Sequence, residues 1–206
     1  MALTNYGELK TAVANWLDDT NLTSRIPEFI SLCEDRINRE LRVRAMETKS
    51  TLTISSQETA LPTGYLEARA LYLATSPIMK LNFLDPPNFW TFYLSTQTGK
   101  PKAYTIEGEN LVVGPAPDSS YSAPFLFFKA FTALSDDSDT NWIFTNARGL
   151  YLYGTLLEAA IYLEDDISIL KWTALFDDLM QKTNDRDKDG RYSGDALIQR
   201  SDVGIV

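Results

Sequence analysis

Along residues 1–47 the apolar positions recur every three or four residues, the spacing that puts side chains on one face of an α-helix. Tyr6, Leu9, Val13, Trp16 and Leu17 make one such stripe after the cap candidate Thr4, and the polar cluster from Asp18 to Asn21 predicts its end. Ile26, Phe29, Ile30, Cys33, Ile37 and Leu41 make a second stripe, opened by Thr23 or Ser24, with Pro27 tolerated in the first turn. Together they predict a helical hairpin. The opposite face of the second helix carries Glu28, Asp35, Arg36, Arg39, Glu40 and Arg42, a mixed-sign surface suited to solvent or to a neighbouring subunit.

From Thr51 the period shortens to two: Leu52 and Ile54 alternate with threonine and serine, and β-branched and aromatic residues are frequent through most of the stretch to Phe131. The tightest unit is a hairpin in which Tyr104 and Ile106 share one strand face, Leu111 and Val113 another, and Glu107 to Asn110 supply the turn. A second hairpin is expected to follow, because Gly114, Pro115, Pro117 and Asp118 break the chain before the run from Phe125 to Phe128. The segment from Asp85 predicts a short helix packed under the sheet, with Pro86 and Pro87 in its first turn.

Helical periodicity returns after residues 135–142. Leu150, Tyr153, Leu157 and Ile161 lie on one stripe with Leu156, Ala160 and Leu163 beside it, so a helix over 147–163 is apolar around most of its circumference and is expected to be central. Another helix is expected from about Asp166 to Lys182, turning Ile169, Trp172, Phe176 and Leu179 inward. Beyond Thr183 the chain is polar with little periodicity, which predicts an extended tail. The expected fold class is α+β: a helical bundle formed by N- and C-terminal helices (1–47 and 134–183), a central antiparallel β insertion (48–133) and an extended C-terminal tail (184–206).

Composition narrows the function. With 44% hydrophobic residues over 206 positions the chain has enough apolar side chain to bury a core without staples. Its 28 acids against 19 bases give a net charge of −9, which disfavours wrapping of duplex nucleic acid, where phosphates call for surplus cations. There is no histidine, so the usual general base and the commonest zinc ligand are missing, and Cys33 is the single cysteine, so no internal disulfide forms. No apolar run is long enough to span a membrane, and the opening residues lack the basic-then-apolar pattern of a signal peptide; a cytosolic origin is expected.

Few motifs suggest chemistry. Asp185, Asp187, Asp189 and Gly190 match the opening of a calcium loop, in which alternating carboxylates turn inward and glycine permits the bend. The match then fails, because Ala196 stands where a bidentate glutamate should close the shell. Carboxylate pairs for glycoside hydrolysis can be drawn among Asp136, Asp137, Asp139, Glu164 and Asp165, although loop solvation and helix capping account for the same residues. Lys100, Lys102, Tyr104, Phe127, Phe128 and Lys129 have the ingredients of a base-stacking platform, but aromatic packing in a small sheet explains them more simply. No catalytic residue, cofactor or metal is assigned.

Taken in order, five blocks carry a resemblance: 5–17 (NYGELKTAVANWL), 25–47 (RIPEFISLCEDRINRELRVRAME), 61–73 (LPTGYLEARALYL), 99–118 (GKPKAYTIEGENLVVGPAPD) and 134–166 (LSDDSDTNWIFTNARGLYLYGTLLEAAIYLEDD). Their order and spacing resemble the head-to-tail adaptor, or connector, proteins of tailed bacteriophages, particularly the short-tailed type. The resemblance implies a non-enzymatic virion component made in the host cytoplasm: a dodecameric ring at the head-tail junction, below the portal. Such a ring extends the channel through which genomic DNA passes without sequence-specific binding, and offers a platform for downstream tail proteins. It also implies portal docking through the C-terminal segment, here Tyr192, Leu197, Ile198, Val203, Ile205 and Val206. Two readings of other classes stand beside it: an acidic calcium- or carbohydrate-binding module, and a tail-associated hydrolase using an acid pair.

Overall fold

The computed structural model describes residues 3–93 and 97–192, the last two of these by backbone alone. The chain divides into two compact units, one made of residues 1–45 with 132–206 and one of residues 46–131.

The first unit is helical. Helix α1 (Tyr6–Leu17) is capped by Asn5, whose side chain accepts from the Glu8 N–H at 2.9 Å, while the Glu8 carboxylate accepts from both the N–H and the hydroxyl of Thr4 at 2.7 Å. The capping residue is therefore Asn5, with Thr4 serving the reciprocal half of the motif. Asp18 ends the helix in the left-handed region at φ 49°. A 3₁₀ turn (Thr20–Arg25) then leads into α2 (Ile26–Glu40), which has Pro27 in its first turn and no side-chain cap, so Thr23 and Ser24 belong to the turn before the helix. The inward stripe of α2 is Ile26, Phe29, Ile30, Cys33 and Ile37, all buried.

After the strands the chain returns through α4 (Trp142–Asn146), α5 (Gly149–Tyr162) and α6 (Asp166–Tyr192), with α3 reserved for a short helix of the second unit. Helix α5 is the central one: it touches α1, α2, α4 and α6 and buries eight of its 14 residues, including Leu150, Tyr151, Leu156 and Leu157. Gly154 makes that packing close, since a Cβ there would overlap Cys33 Sγ and meet the Phe176 ring at 2.9 Å.

Helix α6 departs from expectation. It continues through 184–192, where an extended tail was predicted, and the reason is not local. Asn184 Oδ1 accepts from the Arg42 N–H at 3.0 Å, and the Asp187 carboxylate accepts from the Arg44 N–H at 3.0 Å and from its Nε at 3.1 Å. Two polar residues three apart on α6 thus satisfy backbone donors of the segment that follows α2.

The second unit is a seven-stranded sheet in the order β1-β9-β3-β4-β6-β7-β2. Its strands are β1 (Glu47–Ile54), β2 (Glu58–Ala60), β3 (Tyr65–Leu73), β4 (Met79–Phe83), β6 (Ala103–Glu107), β7 (Asn110–Gly114) and β9 (Tyr121–Lys129); β5 (Thr98–Gly99) and β8 (Ala116–Pro117) form a separate pair. The outermost strands β1 and β2 are consecutive in the chain and touch, so the sheet curls until it is nearly closed. Its core is the period-two face made by Leu71, Leu73, Leu111, Val113, Phe125 and Phe127, among others.

The expected hairpin forms as read. Tyr104 pairs with Val113 and Ile106 with Leu111, and Gly108 takes φ 58° at the first central position of the turn, where a type II′ hairpin needs glycine. The next strand does not extend it: β9 leaves β7 and inserts antiparallel between β1 and β3, so the second hairpin is absent from the sheet. The insertion is also not wholly antiparallel. β4 pairs parallel with β6, and β5 with β8. The parallel pair follows from the intervening α3 (Pro86–Phe92), which carries both prolines in its first turn and takes the chain back to the starting end. Phe89 of that helix is buried, whereas Phe92 is 65% exposed.

Candidate assembly surfaces

The candidate residues on α2 divide into two groups. Glu28, Asp35, Arg39 and Glu40 are exposed, with Glu28 3.6 Å from Arg25. Arg36 instead donates through Nε (2.8 Å) and Nη2 (2.6 Å) to Glu158 Oε1 on α5, and Arg42 donates through Nη1 to the carbonyls of Asn38 and Leu41. Both guanidiniums are engaged within the protomer, Arg36 across to α5 and Arg42 with the end of its own helix. Of the C-terminal candidates, Leu197, Ile198, Val203, Ile205 and Val206 lie outside the described residues, as does the side chain of Tyr192.

The calcium-loop motif is not a loop. Asp185, Asp187 and Asp189 lie within little more than one turn of α6. Residues two apart on a helix point about 200° from each other, so Asp187 faces away from Asp185 and Asp189, and the three carboxylates cannot close on one ion. Asp185 lies 3.3 Å from Lys188 and Asp187 is bound to Arg44, and among the described residues no cluster suited to a metal ion occurs.

The acidic segments elsewhere serve the backbone. The Asp139 carboxylate accepts from the N–H groups of Ser135 and Asp136 and from the Ser135 hydroxyl, which together hold it below its ordinary pKa. Asn141, not an aspartate, caps α4 by accepting from the Ile143 N–H at 3.0 Å. Asp165 accepts from the Ser168 N–H at 3.2 Å and starts α6, which lowers its pKa. In the sheet, Tyr104, Phe127 and Phe128 are buried; Phe125 and Phe127 stack at 5.1 Å and Tyr65 lies on both. That face is core.

One polar centre escaped sequence reading. Glu34, 8% exposed, accepts at Oε1 from the Leu134 N–H (3.1 Å) and from the Tyr151 hydroxyl (3.3 Å), and Asn141 Nδ2 donates to that hydroxyl at 2.6 Å. Burial pushes the Glu34 carboxyl up to about 6 against these two hydrogen bonds, and burial likewise raises Tyr151 and the thiol of Cys33. The available signal was a glutamate inside the apolar stripe next to Cys33. Its two partners, with Asn141 behind Tyr151, fasten α2 to α5 and to the loop before α4, which is a structural task.

What remains exposed is large and apolar or charged. On the helical unit Trp16, Leu32, Tyr162, Ile167 and Leu170 are uncovered, with Ile167 at 81% and Leu170 at 74% exposure. Patches of this kind mark contacts with other macromolecules. No enclosed site with converging acid and base accompanies them among the described residues.

A family model described as SU10 adaptor protein matches residues 4–199. The chain belongs to the SU10 adaptor protein family. This is a family of phage head-to-tail adaptors, structural proteins that associate with portal and tail proteins. No curated protein matches the adaptor. No helix among its described residues is long and apolar enough to cross a membrane. The resemblance carried by the five sequence blocks is thereby shown at the level of the family.

Proposed function

We propose that this adaptor works by assembly: copies of it close into a dodecameric ring beneath the phage portal, extend the DNA channel and present the surface on which downstream tail proteins attach. The observation that carries this reading is the family match, which spans both the helical unit and the inserted sheet. A closed ring joins two different faces of each subunit. The exposed α2 residues Glu28, Asp35, Arg39 and Glu40 contribute to one such face, whereas Arg36 and Arg42 stabilise the subunit behind it. The segment with Tyr192, Leu197, Ile198, Val203, Ile205 and Val206 docks on the portal by burying apolar side chains. A net charge of −9 suits a conduit along which a polyanion must slide without sticking.

Mixing the purified chain with the portal protein of the same phage tests this. Electron microscopy of the mixture is expected to show a ring added to the portal. Truncation before Ser193 weakens that addition while the far-ultraviolet helical signal of the free chain stays intact. A full-length chain that stays monomeric and unbound beside assembled portal overturns the reading.

A further inference from the structure

Helix α6 separates two clefts of opposite charge. One, of about 410 Å³, sets Glu40, Asp177 and Asp185 against the single cation Lys188. The other, of about 760 Å³, is lined by Arg44, Lys182 and Arg186 with the carboxylate of Asp187, over an apolar lining from Trp142 and Leu179; Lys182 also reaches Asp178 on the adjoining exposed face at 2.7 Å. At about 100° per residue, the α6 positions facing the two clefts lie roughly 160° apart, on opposite flanks of one helix and at the same height. The side chains of Asp177 and Arg186 have no partner among the described residues.

The N-terminal half of α6 repeats the division in apolar terms. Ile167, Leu170 and Ala174 continue the acidic flank and are exposed. Trp172 and Leu175 continue the basic flank, where Trp16 packs on Trp172 at 5.6 Å. Along its length α6 therefore offers an apolar-then-acidic flank on one side and an aromatic-then-basic flank on the other.

We infer that α6 is the joint between neighbouring copies of this chain, the apolar-acidic flank of one copy seating in the aromatic-basic flank of the next, with α6 standing along the ring axis. Rotation about that axis leaves every residue at its own height, so Leu170 meets the level of Trp172 and Asp185 lies within one turn of both Lys182 and Arg186, with Asp177 about 7.5 Å along the axis from Lys182. The occupant is a second copy because each flank has on its far side the surface complementary to it, in charge and in level. The contact is heterologous, as ring closure requires, and its charged half weakens with salt. This rests on the ring reading above and specifies which surfaces meet.

The experiment uses full-length chains assembled on the portal. A variant with Lys182→Glu and Arg186→Glu has two acidic flanks, and a variant with Asp177→Lys and Asp185→Lys has two basic ones. Each alone is expected to form rings more than about tenfold less readily than the parent chain, because like charges then face each other. An equimolar mixture is expected to recover ring formation by alternation, which also shows that both variants fold. Wild-type ring yield from either variant alone, or no recovery in the mixture, overturns the α6 joint while leaving the ring reading standing. Absence of rings from the parent chain overturns both.

Discussion

Arg36 and Glu158 meet at 2.6 Å between α2 and α5, the guanidinium donating through two nitrogens to a single carboxylate oxygen. The Glu158 side chain is only 10% exposed and that of Arg36 27%, so the pair is largely withdrawn from water. Arg36→Met strands a shielded carboxylate and is expected to destabilise the isolated chain by about 1–3 kcal/mol, measured by urea unfolding. Glu158→Gln made with it recovers part of the loss. A mutation at Arg36 that leaves stability unchanged would contradict the assignment of this residue to the inside of the subunit.

Glu34 gives the protein a pH dependence of definite sign. Its folded-state pKa is raised from 4.5 to about 6, so the native state holds a proton that the unfolded chain has released. Stability from this group therefore falls as pH rises from about 4.5 to about 6 and is level above that, a change of at most about 2 kcal/mol. Glu34→Gln keeps an acceptor for Leu134 and Tyr151 but does not titrate. Unfolding curves of the two proteins at a series of pH values are expected to diverge in favour of the variant across that window. Parallel curves would show that Glu34 is solvated.

Two glycines separate space from backbone conformation. At Gly154 an added methyl group runs into Cys33 and Phe176, so Gly154→Ala is expected to cost about 1–3 kcal/mol through overpacking. At Gly108 a Cβ would meet nothing within 4 Å, and the cost comes from φ 58° alone, about 1–2 kcal/mol for Gly108→Ala. Gly108→Asn, which tolerates that region, restores much of the loss, whereas Gly154→Asn makes matters worse. Thermal unfolding of the four variants distinguishes the two mechanisms.

Legibility in the sequence followed the range of the interactions. The hairpin from Ala103 to Gly114 was readable because its strands and turn lie within a dozen residues, and the inward stripe of α2 because helical period is a local property; on α5 Leu150, Leu156, Leu157 and Ala160 are buried as expected, but Ile161 and Leu163 are exposed. The placement of β9 between β1 and β3 was not, since nothing within β9 distinguishes a partner strand next to it from ones some fifty or more residues earlier. Residues 184–192 misled for a related reason. They lack an apolar period, and the groups that hold them in α6 are polar and sit on Arg42 and Arg44. Of the candidate assembly residues, charge alone could not divide Arg36, which is bound within the subunit, from Arg39, which is exposed; that distinction depends on Glu158 at the far end of the chain.

Asn184 and Asp187 grip the stretch that carries the chain from α2 toward β1. A tether fastened to the residues beyond Tyr192 would pull on the last turns of α6, and those turns are bolted to the residues immediately ahead of the strands. Load applied at one terminus of this protein is thus delivered, through two side chains, to the doorway of its inserted sheet.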